Sequence, residues 1–341
     1  MLTRTIITTF FLIGFLLNIV ACSQKTEVTQ ATFYVFGTMV EISIYDPDQN
    51  KTKKAIAEVE QQFQKFHHEW HAWEKGGIVA KINQAIHNQK SIDVSDSVKQ
   101  FILKSQMLSQ QSQGLFDPAI GELVNLWGFH KEEWQGPPPS ELEIQSWLNS
   151  SPSINDLQFT GNLLYSSNPD VQLDFGGNAK GLAIDMAMQT LKEKGINNAL
   201  VSIGGDMKVI GNKPEEAWRI GIQSPIPPHQ ALAKIKLKPN ESIVTSGDYQ
   251  RFFEWQGQKY SHIINPKTGY PANTFSSVTV IHKDAITADA AATAILVAGP
   301  EHWQEIAHKM NITAVLCITH DGQYISSPKM EKRLQLLNKQ S

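Results

Sequence analysis

The sequence predicts an α+β fold, and three observations carry that prediction. Strand-like segments crowd the second half of the chain, at 198–203, 206–211, 217–223, 232–237, 241–245, 249–255, 258–264 and 277–282. Several are joined by turns as short as Gln256-Gly257, and turns that short join antiparallel neighbours. Helical periodicity interrupts them in blocks, at 178–194, 286–298 and 300–310, so helices and strands are segregated and do not alternate strictly.

The chain opens with Arg4, an apolar stretch from Ile6 to Leu17, and then Asn18-Ile19-Val20-Ala21-Cys22, the layout of a secretory signal peptide over residues 1–21. The stretch is too short for a confident transmembrane span. Ile19-Val20-Ala21-Cys22 resembles the bacterial lipobox, which would make Cys22 the acylated first residue of the mature protein; a plain signal peptide with a chance cysteine is the alternative. Several acyl chains on one cysteine tether a protein without spanning the membrane. Residues 22–31 are polar and read as that tether, and a single folded domain is expected from about Thr32 to 335.

Residues 32–45 alternate as a strand, and Ile56, Val59, Phe63 and Phe66 give 51–70 helical spacing. A second helical pattern covers 96–111. A short helix is expected after Asp117-Pro118, where Asp suits a cap and Pro the first turn. Gly136 and the prolines at 137–139 make 131–140 an insertion loop.

Composition narrows the function. The 341 residues carry 30 Lys+Arg against 33 Asp+Glu, a net charge of −3, with no basic run, which disfavours nucleic-acid binding. Two cysteines, Cys22 and Cys317, make neither a disulfide framework nor a zinc site; Cys317 lies in the apolar run Ala314–Ile318 and reads as a small core residue.

The richest segment is Leu173-Asp174-Phe175-Gly176-Gly177-Asn178-Ala179-Lys180-Gly181, read as a strand end, a glycine turn and the start of a helix running from Leu182 to Lys194. Glycines admit a ligand to the backbone, a helix N-terminus attracts anions and Lys180 adds charge, so a phosphate site follows; a tight turn with a solvated lysine is the plainer reading. Ile203-Gly204-Gly205-Asp206 fits a hairpin turn. His262, in Tyr260-Ser261-His262-Ile263-Ile264-Asn265-Pro266, is a base, a ligand contact or a satisfied histidine. Asp289 and Thr293 fall on one helix face, and a carboxylate with a hydroxyl suits Mg²⁺; a residue near a helix start favoured by the dipole is the other reading. The aromatics of Gly114-Leu115-Phe116-Asp117-Pro118, Leu126-Trp127-Gly128-Phe129 and Trp70-His71-Ala72-Trp73 suit either a core or a planar ligand. His67 and His71 have metal-ligand spacing, but no third partner accompanies them.

In their joint order these segments, together with Gly37-Thr38-Met39, Thr245-Ser246-Gly247-Asp248-Tyr249 and Lys267-Thr268-Gly269-Tyr270-Pro271, resemble the ApbE family of FAD:protein FMN transferases over nearly the whole mature chain. The resemblance implies a T-fold-like architecture of largely antiparallel sheets flanked by helices, with FAD as substrate and Mg²⁺ as cofactor. It also implies transfer of FMN from FAD to a threonine hydroxyl of a target protein, with release of AMP. Targets in the family are redox-complex subunits bearing a Ser/Thr-Gly-Ala-Ser/Thr-like motif. By position, Asp289, Thr293 and the Gly177 carbonyl would hold Mg²⁺, while Asp174, Lys180, His262 and the Leu115-Phe116-Asp117 turn would contact FAD. Phe36 stands where the family has methionine, and the region after Trp73 departs from its serine-rich pattern; both residues are assigned to flavin or adenine contacts. Either His262 or a carboxylate near the metal, Asp289 among them, is expected to take the hydroxyl proton. Exported lipoproteins of this family imply a place at the cell inner membrane on its periplasmic side, with the outer membrane as the alternative. A Mg²⁺-dependent FAD pyrophosphatase shares every motif, and a non-catalytic FAD-binding lipoprotein would dispense with the Asp289/Thr293 pair.

Overall fold

The computed structural model describes residues 28–131, 133, 135–213 and 216–337. The expected signal peptide, Cys22 and most of the expected tether lie outside the described residues.

The described chain opens on a hairpin, β1 (Val28–Val35) and β2 (Thr38–Tyr45), paired from Val28 with Tyr45 to Val35 with Thr38. The sequence reads 32–45 as one strand; the chain instead reverses at Phe36-Gly37, where φ is 60° and 65°. A phenylalanine in the left-handed region is unusual, so no Asn-Gly or Asp-Gly signal marked this turn. Val28–Ala31, placed by the sequence in the tether, pair with Ile42–Tyr45.

Next come α1 (Gln49–Trp70), α2 (Ile78–His87), β3 (Ile92–Asp93), α3 (Asp96–Gln111), α4 (Gly121–Leu126) and α5 (Glu141–Ser150). The hairpin β4 (Leu157–Thr160) and β5 (Leu163–Ser166) precedes α6 (Ala179–Glu193). Residues 173–175, read as a strand end, belong to no strand; the nearest pairing is an isolated bridge between Gln172 and Ile120. The helix there starts at Ala179, within the helical block 178–194 and ahead of the Leu182 start also read from the sequence.

The strand-rich half holds β6 (Ala199–Ile203), β7 (Asp206–Ile210), β8 (Trp218–Gln223), β9 (Ala231–Leu237), β10 (Ser242–Gly247), β11 (Phe252–Trp255), β12 (Gln258–Ser261) and β13 (Ser277–His282). After it come α7 (Ala285–Lys309), β14 (Ala314–Ile318), β15 (Tyr324–Ser326), α8 (Pro328–Glu331) and β16 (Gln335–Leu336). The predicted strands at 249–255 and 258–264 are shortened to β11 and β12. Residues 248–251 and 262–264 are thereby left as irregular backbone, which is where site residues are presented.

Eight strands form one antiparallel sheet in the order β1-β2-β6-β7-β10-β13-β14-β15. On one face α1 and α6 pack over β1, β2 and β6 through Ile42, Ile44, Phe63, Ile184 and Val201. On the same face α7 packs over β10, β13 and β14 through Val278, Val280, Ile295 and Val315. The sheet β16-β9-β8 covers the other face through Trp218, Ile235, Ile243 and Leu316. This is the predicted α+β class. Cys317 is fully buried in β14, and burial pushes its thiol up to about 12, so it is inert at ordinary pH.

Helix α7 is rich in small residues where it meets α6, and Ala288, Ala290, Ala291 and Ala292 are fully buried. A Cβ placed on Gly181 would lie 2.5 Å from the Ala285 carbonyl oxygen and 2.8 Å from Ile286 Cα, so the two helices meet backbone to backbone. Backbone cannot swing aside as a side chain can. Gly181→Ala is expected to cost at least about 2 kcal/mol; equilibrium urea unfolding of the variant and the parent measures it, and equal midpoints would refute the contact. The predicted break between 298 and 300 is present as Gly299, at φ 70° and ψ −177°, followed by Pro300.

Candidate active site

The site begins where α6 meets α7. Oδ2 of Asp289, on α7, accepts the N–H of Gly181 at 2.9 Å, one of the amides a helix start leaves without an intrahelical partner. Asp289 is 3 % exposed, and burial drives its carboxyl well above the usual range despite the opposing pull of Lys180 and the Gly181 amide. One turn on, Thr293 Oγ1 lies 3.1 Å from Ser246 Oγ on β10. A Cβ on Gly177 would stand 3.2 Å from the Phe116 ring and 3.7 Å from Thr293 Oγ1. Gly177, Asp289 and Thr293, assigned separately along the sequence, are therefore neighbours in space.

Lys180 is not a free cation. Its Nζ is ion-paired with Asp206 Oδ2, while Asp206 Oδ1 accepts the Thr245 N–H at 2.9 Å. Burial alone would lower the Lys180 pKa, but the carboxylates of Asp206 and Asp289 outweigh it and hold the ammonium above its ordinary value. Asp206 stands at the end of the hairpin turn Gly204-Gly205, at φ 59° and 93°. The same turn presses on the hairpin of Phe36, because a Cβ on Gly204 would sit 2.8 Å from Thr38 Oγ1. Lys180, which the sequence assigned to a phosphate site, thus shares its charge with a carboxylate read there as part of a hairpin turn.

A second group gathers around Asp174. Trp73 Nε1 donates to its Oδ2 at 2.9 Å and the Gly176 N–H to its Oδ1 at 2.8 Å, so two of the assigned cofactor residues are in direct contact. His71 Nδ1 shapes the Trp73 loop by accepting the N–H groups of Trp73 and Glu74 at 3.2 and 3.1 Å. Arg251, which the sequence reading missed, faces Asp174, Lys180 and His262 electrostatically. Its segment read only as part of the strand 249–255.

His262 Nδ1 lies 3.1 Å from the Arg251 carbonyl, which also receives the His262 N–H at 3.0 Å. A carbonyl only accepts, so Nδ1 carries the proton and Nε2 keeps its lone pair. Burial, then the charges of Arg251 and Lys180, lower this histidine to about 3. The unfolded side chain titrates near ~6.5, so the stabilisation linked to its neutral form is complete above that pH and is lost as pH falls toward 3. Wild type is therefore expected to lose more stability between pH 6.5 and 4 than His262→Gln, as followed by urea midpoints; parallel curves would contradict the neutral ring.

The remaining assigned residues take different places. Asp117 is 8 % exposed, and its oxygens accept from Ser109 Oγ (3.1 Å), Ser153 Oγ (2.7 Å) and the N–H groups of Ala119 and Ile154 (both 2.9 Å). That carboxylate ties a loop together instead of capping α4, whose N-cap position is Ile120. Phe116 is a buried core ring and Leu115 packs against the same cluster. Phe36 sets its edge on Phe63, Phe66 and His67 at 5.4 to 5.7 Å, beside a hollow of ≈ 340 Å³ lined also by Tyr34, Thr38 and Gln64. A larger hollow of ≈ 460 Å³, between Ser109, Trp147, Asn155 and Lys267, includes none of Lys180, Asp206, Asp289 or Thr293.

The donor set at the helix junction is a carboxylate, a hydroxyl and the backbone of a glycine, hard oxygens of the kind Mg²⁺ takes. One ammonium stands against the two carboxylates of Asp206 and Asp289. A divalent cation would reverse that balance.

The model of the ApbE family matches residues 36–316. The chain belongs to the ApbE family. A FAD:protein FMN transferase of Vibrio cholerae is 30% identical over 92% of this chain and 95% of its own length. One of Rhodobacter capsulatus is 38% identical over 89% of this chain, which spans 58% of that relative's length. Among solved structures, the ApbE protein of Thermotoga maritima superposes with a TM-score of 0.83 at 29% identity, covering 90% of this chain and 99% of that one. The flavin transferase ApbE of Vibrio cholerae gives 0.79 at 29% identity over the same shares.

Proposed function

We infer that this member of the ApbE family is a FAD:protein FMN transferase, acting with Mg²⁺ on a threonine hydroxyl of a target protein and releasing AMP. The observation that carries the reading is the junction of Gly177, Lys180, Asp206, Asp289 and Thr293, an oxygen-rich cluster at the start of a helix. Relatives that bear the transferase name over most of this chain support it. Asp289, Thr293 and the Gly177 carbonyl would hold Mg²⁺, which supplies charge neutralisation at the FAD diphosphate.

The protein's own groups account for the rest. The Asn178, Ala179, Gly181 and Leu182 amides at the start of α6 are already bonded within the protein, so the cationic charge of Lys180 and Arg251 would supply most of the attraction for phosphate oxygens. The target hydroxyl attacks the FMN-side phosphorus, the bond from that phosphorus to the bridging oxygen breaks, and the oxygen leaves with AMP. The hydroxyl proton goes to the lone pair of His262 Nε2 or to a carboxylate beside the metal. Trp73 and Phe36 would contact the flavin or adenine, and targets are redox-complex subunits with a Ser/Thr-Gly-Ala-Ser/Thr-like motif. The decisive experiment combines protein, FAD, Mg²⁺ and such a target and weighs the target: a gain equal to one FMN phosphoryl group supports the transferase.

We further propose that acylated Cys22 holds the domain at the periplasmic side of the inner membrane. No helix among the described residues is long and apolar enough to cross a membrane. Cys22→Ser is expected to release the protein into the soluble fraction or to leave an unprocessed precursor; membrane retention with normal processing would refute the anchor.

A further inference from the structure

One partly buried polar cluster near the site has no part in the chemistry above. Asp185, on α6, pairs through Oδ1 with Nζ of Lys208 on β7. Its Oδ2 receives the N–H groups of Ala285 and Ile286, the first two residues of α7, at 3.0 and 3.4 Å. Lys208 is 9 % exposed and also donates to the Lys283 carbonyl, at 2.6 Å. Asp284 adds a cap of its own by accepting the Thr287 N–H at 2.7 Å. Helix α6 and strand β7 are thus bridged twice with opposite polarity, Lys180 to Asp206 at the site and Asp185 to Lys208 where α7 begins.

A buried ion pair is a poor source of stability, because desolvation offsets most of the attraction. What this pair does provide is register. Its carboxylate binds the first amides of the helix that carries Asp289 and Thr293, and its own helix carries Lys180 and Gly181. Because α6 and α7 touch backbone to backbone at Gly181, a shift of the α7 start carries directly to Asp289. Metal ligands tolerate displacements of only about 0.2 Å.

We propose that Asp185, charge-matched by Lys208, is a positioning residue that sets α7 against α6 and so holds Asp289 and Thr293 in the geometry a divalent cation requires. The proposal rests on the reading of Asp289 and Thr293 as metal ligands. It is tested on the full folded domain with Mn²⁺ alone as probe, by titration calorimetry, together with amide hydrogen exchange at Gly181 and Ala285. Asp185→Ala is expected to weaken Mn²⁺ binding about tenfold or more and to speed exchange at both amides. FMN transfer in that variant should recover toward the wild-type rate at saturating metal, a change in metal requirement and not in turnover. Asp185→Asn keeps an acceptor for the two amides and is expected to fall between the two, and it carries the test if the alanine variant does not fold. Leu237→Ala, in the sheet on the opposite face, serves as a destabilised control and should bind Mn²⁺ as wild type does. Unchanged Mn²⁺ affinity and exchange in Asp185→Ala, or equal weakening in Leu237→Ala at matched stability, would overturn the proposal. If wild type itself binds no Mn²⁺, the metal reading falls, and exchange at Gly181 still decides whether Asp185 sets the helix junction.

Discussion

Asp289→Ala should lose Mg²⁺-stimulated FMN transfer by at least about a hundredfold, roughly 2.7 kcal/mol of transition-state stabilisation, while keeping part of its affinity for FAD. The expectation comes from what this one carboxylate does. Oδ2 is held by the Gly181 amide, so the second oxygen is the natural ligand and the carboxylate cannot rotate away. Thr293 and the Gly177 carbonyl are neutral donors, which leaves Asp289 as the charged member of the proposed ligand set. Asp289→Asn separates two roles: it can keep an acceptor for Gly181, and so the helix junction, but it lacks the charge. The asparagine variant should fold with near-parental stability and still fail in transfer, whereas the alanine variant should lose both. Measured rates at limiting Mg²⁺ decide it, and full activity in either variant would remove Asp289 from the metal site. FAD affinity, followed by flavin fluorescence, is expected to fall less than the rate, because Trp73, Asp174, Arg251 and the glycine turn are untouched.

Much of this site was visible before the fold was. The spacing of Asp289 and Thr293 depends only on helical periodicity, and both do lie on one helix, α7. The hairpin glycines at 204–205 announce themselves through backbone freedom, at φ 59° and 93°, whereas Gly176 and Gly177 stay outside the left-handed region. What the sequence hid are partners brought together by tertiary structure. Asp206 reads as the residue after a turn until β7 is seen beside α6, where it neutralises Lys180. Asp117 shows the opposite error: an acidic residue in a glycine-aromatic turn looks available to a ligand, but Ser153 and Ile154, far along the chain, occupy it. Arg251 was obscured by the reading of 249–255 as one strand, although pairing begins only at Phe252. Local pattern is reliable where one element sets the geometry. It fails where charge balance is assembled from three elements, and this site is built that way.

The strongest test of the activity is the fate of the attacking oxygen. With a target bearing the Ser/Thr-Gly-Ala-Thr motif, we expect one AMP released per FMN attached; with its acceptor threonine changed to valine, we expect attachment to vanish and AMP release to fall to a slow background. Water is present at high concentration, so the enzyme must favour the hydroxyl by position. Docking a target makes the attack effectively intramolecular, and that can be worth about 7 kcal/mol of barrier. A neutral His262 would suit a base that waits for a docked hydroxyl. His262, lowered to about 3, is neutral at physiological pH, so its Nε2 is open to a proton, yet it is too weak a base to generate hydroxide from water readily. Its basicity would rise beside the diphosphate, since the cations that depress it, Arg251 and Lys180, would then be offset by phosphate charge. Intact-mass spectrometry of the target, paired with quantified AMP, separates the two chemistries. Rapid AMP release with no gain in target mass, unaltered by the threonine-to-valine change, would identify a pyrophosphatase using the same metal and residue cluster; mass gain confined to the threonine-bearing target would identify the transferase.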